Sequence, residues 1–242
     1  MGEERPRRGA GSVKEIYAFC EGPTEQGFCR QVLSPHLFPG GDGCIHTVKI
    51  AHSKHHGKVS RGGVGKYASL RRDIQNTLKQ RGSPDVYFTS LIDLYALPGD
   101  FPGRESQTRN PSDPWPYASA LEKAFGDDIG DMRFVPHVQL HEYETLLFAD
   151  PDAFRISFES CDDAVQKLKD IAASHASIEQ INDGRGTAPS KRIIDLLPRY
   201  DGLKPSAGPD IAAFIGMPVL RAKCRHFDAW VTRLENLNWT KQ

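Results

Sequence analysis

No apolar run in the chain approaches the roughly 20 residues that a membrane-crossing helix requires, and no secretory leader pattern is visible. Neither sign of charge is in excess. The 31 lysines and arginines are matched by 31 aspartates and glutamates, which excludes a uniformly basic coat and leaves only local patches for anionic partners. Cysteine is scarce: Cys20, Cys29, Cys44, Cys161 and Cys224 are scattered, odd in number and without a Cys-x2-Cys pair. That spacing argues against a disulfide framework and a structural zinc site, and for free thiols in a reducing, cytoplasmic setting. Internal repeats are lacking too. At 242 residues the chain is nevertheless long enough to bury a substantial core.

What is present is a succession of short apolar runs that stop on carboxylates. Ile16-Tyr-Ala-Phe-Cys20 is β-prone and ends on Glu21. Gly22 and Pro23 then turn the chain, and Thr24 is placed to cap a helix with Glu25 in its first turn. Val86-Tyr-Phe-Thr-Ser-Leu-Ile92 is apolar throughout, as a central parallel strand buried on both faces would be, and ends on Asp93. Phe134 to Leu140 reads as a fourth strand, with Pro136 marking an edge or a bulge, and runs into His141-Glu142-Tyr-Glu144. With a strand over Cys44–Ile50 and a helix striped by Tyr67, Leu70, Ile74 and Leu78, the order is α/β. The predicted fold is a four-stranded, mainly parallel sheet flanked by helices over residues 13–150. A disordered tail precedes it over 1–12, and a helical part packs on it over 151–242, where Pro209–Ile215 and Pro218–Lys223 read as two brief helices. In such a sheet the carboxyl ends of the strands form the ligand crevice. Glu21, Glu25, Asp93, Glu142 and Glu144 would then converge there, the donor set a hard divalent cation takes. The competing reading is a set of solvated surface corners.

In the HEYETLL turn Glu144 is preferred over Glu142 for the cluster, because the chain must turn before the core-facing pair Leu146 and Leu147. His141 beside them is a candidate for proton transfer, or a structural histidine. The glycine-rich stretch from His52 to Lys66 carries Lys54, Lys58, Arg61 and Lys66 and suits contact with phosphates. Cys44, His46, His52, His55 and His56 lie close in sequence but not in a zinc-finger context, and the GK[ST] of a Walker loop is missing. Lys191 and Arg192 sit at the start of a short helix, a second place to hold phosphate charge. The proline-rich connection from Ala96 to Pro116 has the aromatics of an ordered lid.

The strings CEGPTEQGF, LIDLYALPGDFPG, HEYETLLFAD, TAPSKRI and CRHFDAWVTRLENL occur in that order. With them the chain resembles a bacterial domain-of-unknown-function group of TOPRIM-like proteins, often encoded beside an AAA-type ATPase in phage-defence loci. The resemblance implies a TOPRIM-like sheet that binds magnesium or manganese. It matches Glu21 to the glutamate after the first strand and Asp93 to the first aspartate of a DxD pair. The second aspartate is missing, since Asp93-Leu-Tyr95 follows, so Glu25, Glu142 or Glu144 would complete the metal shell. The expected function is a metal-dependent nuclease hydrolysing DNA or RNA phosphodiesters. The alternatives are a non-catalytic nucleic-acid or partner-binding module that regulates an associated ATPase, and a small-nucleotide hydrolase using the same site.

Overall fold

The computed structural model describes residues 13–50, 66–83, 85–106, 108–110, 112–181, 184 and 186–239. The chain begins with β1 (Lys14–Cys20), followed by α1 (Pro23–Phe28), a π-type turn over Cys29–Leu33, and the single turn α2 (Ser34–Leu37). Next come β2 (Gly43–Lys49), α3 (Tyr67–Gln80), β3 (Val86–Asp93), α4 (Trp115–Ile129), β4 (Phe134–Val135) and β5 (Val138–Gln139). The remainder is helical: α5 (Asp162–Ala173), α6 (Pro189–Leu196), α7 (Tyr200–Ile215), α8 (Met217–Lys223) and α9 (Arg225–Glu235), with 3-10 turns between them. No helix among the described residues is long and apolar enough to cross a membrane.

The sheet is parallel throughout, in the order β2-β1-β3-β4, with β5 also pairing β3. β3 is central and almost wholly buried, as its unbroken apolar run requires. The fourth strand divides at Pro136 into two short pieces on the same edge of β3. Proline cannot donate to the ladder, and side chains of β3 bridge the gap. The Thr89 hydroxyl donates to the Val135 carbonyl at 2.6 Å, while the Ser90 hydroxyl donates to the His137 carbonyl and accepts the His137 N–H, both at 2.9 Å.

Alternation along β1 sorts the core into two layers. Ile16, Ala18 and Cys20 face one side, where the C-terminal helices contribute Ile211, Phe227, Trp230 and Leu234 to the same cluster. Tyr17 and Phe19 face the other, against Leu70 and Ile74 of α3 and Leu121 and Phe125 of α4. The C-terminal helices thus share this face of the core with α1 and the turn that follows it. Phe101 of the proline-rich connection is buried against Tyr67 and Phe125.

Two local expectations are corrected. Thr24 does not cap α1; the helix starts at Pro23, Gly22 is its N-cap, and the Glu25 carboxylate accepts the Gly22 N–H at 2.8 Å. α7 is a single helix from Tyr200 to Ile215 with Pro205 and Pro209 inside it, where proline spacing predicts only a brief one. Tertiary packing overrides an interior-proline cost of about 3 kcal/mol each. α7 lies directly on α1, so close that a Cβ on Gly27 would meet Pro209 Cγ at 2.5 Å, and one on Gly208 would meet Thr24 Cγ2 at 2.9 Å.

A buried polar network fastens α9. Glu122 of α4 accepts from His137 Nδ1 at 3.1 Å, His226 Nε2 at 2.9 Å, the Val138 N–H at 3.0 Å and Arg233 at 2.9 Å. Burial opposes ionisation of Glu122, but the bonds to the two histidines outweigh it and hold the carboxyl far below its usual range. Burial also pushes His137 down to about 4, whereas its bond to Glu122 raises His226 in spite of burial. Glu179, fully buried, accepts the N–H groups of His226 and Phe227 at the start of α9 and the Trp115 indole N–H at 2.7 Å.

Candidate acidic centre

The first and third strands end side by side, which brings Glu21 and Asp93 to one edge of the sheet. Glu25 joins them because α1 turns back immediately after β1. The segment after β5 supplies the rest. His141 adopts a left-handed backbone conformation (φ 62°), Glu142 is extended, and a 3-10 turn begins at Tyr143. Both Glu142 and Glu144 act electrostatically on Asp93, so both lie near the centre. All five carboxylates are buried.

Their surroundings explain how so much acid is gathered. Asp93 Oδ1 accepts the Tyr143 N–H at 2.9 Å. Glu142 accepts the Ser190 N–H at 2.7 Å and the Ser190 hydroxyl at 3.0 Å, at the N-terminus of α6. Glu144 has the Tyr200 hydroxyl and the Lys204 ammonium of α7, each at 3.4 Å. These donors do not fully offset the mutual repulsion. Burial, reinforced by Glu21, Glu25, Glu142 and Glu144, pushes the Asp93 carboxyl well above its ordinary range. Burial raises Glu25 to about 7, with Glu21 adding to it and Gly22 and Lys204 opposing. Glu144 also rises to about 7 through burial, against Lys204 and with help from Glu142 and Glu25. Without a counter-ion the centre retains protons near neutral pH.

An open cavity of about 530 Å³ reaches the cluster at Glu142 and is bounded also by Tyr95, Tyr117, Arg104, Arg109, Lys191 and Lys204 among others. Tyr95, two residues after Asp93, lies beside Glu142. Burial and the Glu142 and Asp93 charges keep its phenol protonated, hydrogen-bonded to Glu142.

The expected phosphate ligands fare differently. Lys191 lines the cavity, whereas Arg192 is turned to the Thr187 carbonyl, which accepts from Nε at 2.8 Å. Lys66 is exposed just before α3. Lys54, Lys58 and Arg61 lie outside the described residues, as does the 1–12 tail. His141 is buried, and its Nε2 donates to the Glu179 carbonyl at 2.9 Å, which ties the turn to the segment before α6. Sequence reasoning missed Ser190, Tyr200, Lys204, Arg104, Arg109 and Tyr95. Ser190 lies inside TAPSKRI, where the adjacent cations drew attention first. Lys204 carries no local signal, because only the packing of α7 on α1 aims it at Glu144.

A family model described as a domain of unknown function, DUF4276, matches residues 20–235. The chain belongs to that family. The matched span runs from the end of β1 to the end of α9, so every carboxylate of the centre and the residues around it fall within the DUF4276 region. No curated protein and no solved structure matches the chain.

Proposed function

We propose that the protein is a TOPRIM-like phosphodiesterase that uses magnesium or manganese to cleave DNA or RNA in an anti-phage defence system. The observation that carries the reading is a cluster of five buried carboxylates, one of which, Glu142, lines a cavity together with Arg104, Arg109, Lys191 and Lys204. Carboxylates alone would repel a phosphodiester and cations alone would merely hold one. Side by side they suit a reaction in which a metal carries the attack while the cations neutralise the phosphate.

The residues fit a hard divalent ion in their chemistry. Every donor is a carboxylate oxygen, and the elevated proton affinities of Asp93, Glu25 and Glu144 mark a centre that favours added positive charge. Three oxygens from three of these residues do not all come within 4.8 Å of one another. As they stand, therefore, no three of them hold one ion; a magnesium that keeps several waters would take one or two, and three would share it only if the cluster closed on the ion. Glu21, Asp93 and Glu144 are the principal ligands on this reading, with Glu25 and Glu142 beside them. When bound, the ion supplies an activated water and charge stabilisation for in-line displacement.

The chain's own residues do the rest. Tyr143 N–H, Gly22 N–H and Ser190 hold Asp93, Glu25 and Glu142 in place. The cavity cations grip the phosphate, and Tyr95 and Tyr117 offer aromatic faces to a base. His141 acts as a positioning group for the turn that carries Glu142 and Glu144. The reading is tested by incubating the protein with plasmid, single-stranded DNA, tRNA and free nucleotides in magnesium or manganese, beside calorimetric titration with manganese. Wild type is expected to bind manganese and cleave, and Glu21→Gln and Asp93→Asn to lose both. Unchanged manganese affinity in both variants would overturn it.

Tyr95 in place of the second aspartate favours a second reading. Here the protein is a non-catalytic nucleic-acid or partner-binding module that regulates an AAA-type ATPase. Manganese binding and nucleic-acid binding without cleavage of any substrate would select it.

A further inference from the structure

A different group of metal-ligating side chains lies at the far edge of the sheet. Parallel pairing of β1 with β2 sets Glu15 opposite Cys44 and Tyr17 opposite His46. Because side chains alternate along a strand, all four project from the same face. The ring nitrogen Nε2 of His46 is the meeting point. It lies 2.9 Å from Glu15 Oε1 and 3.4 Å from Cys44 Sγ, and the three ligating atoms are all within 4.8 Å of one another. Tyr17 stacks on the His46 ring, with centroids 4.7 Å apart and planes 27° apart, which fixes the imidazole orientation.

These distances fit a tetrahedral ion. With metal–nitrogen near 2.05 Å and metal–sulfur near 2.3 Å, a nitrogen and a sulfur on one ion stand roughly 3.5 Å apart. The structure has 3.4 Å between them. The carboxylate, in hydrogen-bonding contact at 2.9 Å, needs to withdraw by only about half an ångström to reach tetrahedral spacing from the nitrogen. The other group of comparable density, Glu122 with His137 and His226, is chemically unsuited to a cation. There the Val138 N–H and the Arg233 guanidinium already point at the Glu122 oxygens.

We infer that Glu15, Cys44 and His46 form a binding site for a zinc-class divalent transition ion at the β1–β2 edge. A thiolate, an imidazole and a carboxylate select a borderline-soft ion over magnesium, so the site is separate in chemistry as well as place from the acidic centre. The His46 and Glu15 side chains retain 42% and 30% of their exposure, and solvent therefore completes the shell. Two ligands on β2 and one on β1 make the ion a clamp on the edge strand.

The test is a cobalt(II) titration of the reduced, metal-free full chain. Wild type should show one thiolate-bound cobalt per chain, with a near-ultraviolet thiolate-to-cobalt charge-transfer band and four-coordinate visible bands, all displaced by zinc. Cys44→Ser should abolish the charge-transfer band, and His46→Gln and Glu15→Gln should each weaken cobalt affinity at least tenfold. Glu21→Gln with Asp93→Asn should leave the band intact, which separates this site from the acidic centre. X-ray absorption of the zinc-loaded wild type, independent of any variant, should show one sulfur neighbour near about 2.3 Å. Absence of the band, its survival in Cys44→Ser, affinity unchanged in both other variants, or a zinc shell without sulfur would overturn the inference.

Discussion

Glu142 and Ser190, 48 positions apart, are joined twice: the serine backbone N–H and its hydroxyl donate to different oxygens of the same carboxylate, at 2.7 and 3.0 Å. The pairing aligns an acid of the strand-end cluster with the start of α6, where helix N–H groups favour negative charge. It also draws Lys191, the next residue, to the cavity rim.

Ser190→Ala should therefore separate orientation from folding. The backbone bond survives and one hydroxyl bond is lost, so stability should fall by about 1 kcal/mol in denaturant unfolding. Manganese affinity should fall while Glu142 loses its fixed position. An unchanged calorimetric affinity would show that Glu142 contributes nothing to ion binding.

The crowded carboxylates make a pH prediction with a definite sign. Glu25 and Glu144 sit at about 7 in the folded chain, against about 4.3 when unfolded. Between those values the folded state binds more protons, so stability from each group is fully present below about pH 4 and is lost as pH rises towards 7. Glu25→Gln removes the share of this dependence that belongs to Glu25. Melts without metal at pH 5 and pH 7.5 should show wild type losing more stability than the variant over that interval, by up to about 3 kcal/mol. Manganese at pH 7.5 should restore part of the wild-type loss.

The cavity cations should reveal themselves through salt. If Arg104, Lys191 and Lys204 each meet a phosphate, replacing any one with alanine should weaken binding of a short single strand and reduce the salt slope. The reduction should be about 0.7 for each phosphate that is no longer neutralised. Arg192→Ala should change neither, because Arg192 does not line the cavity and its guanidinium serves the Thr187 carbonyl. Fluorescence anisotropy across a salt series decides between them, and equal slopes in all four variants would dissociate the cavity from nucleic acid.

Gly27→Ala tests the seat of α7. The added methyl meets Pro209 Cγ at 2.5 Å, and a proline ring has little freedom to retreat. Overpacking of this kind costs typically about 1–3 kcal/mol. The variant should melt lower and bind manganese less well, because α7 carries Tyr200 and Lys204 to Glu144. A variant as stable as wild type would show that the α1–α7 contact is slack.

Glu122→Gln should be the most damaging of the single substitutions. It removes a buried charge bound by two histidines and an arginine and replaces one of the two accepting oxygens by an NH2 donor, which cannot accept from the group it faces. Breaking such a set from one side costs about 3–5 kcal/mol. Denaturant unfolding should show a loss of that order, and a loss below about 1 kcal/mol would mean that the network does not anchor α9.

Local pattern determined the frame of this protein. Strand residues alternate and helix residues recur every 3.6 positions, so β1, α3 and the central β3 could be read from Ile16–Glu21, the Tyr67–Leu78 stripe and Val86–Asp93. The carboxylates ending the strands were legible for the same reason, as was the break at Pro136, because a missing N–H is a local fact. What completes the centre was not local. Glu142 and Glu144 are aimed by the left-handed backbone at His141 and the 3-10 turn that follows it, neither of which has a local signature in the sequence. Lys204 and Tyr200 reach Glu144 because α7, two interior prolines notwithstanding, packs against the glycine of α1. Glu15 meets Cys44 and His46 only through the register of two parallel strands. Burial and long-range packing decide such positions, and neither is written in the spacing of neighbouring residues.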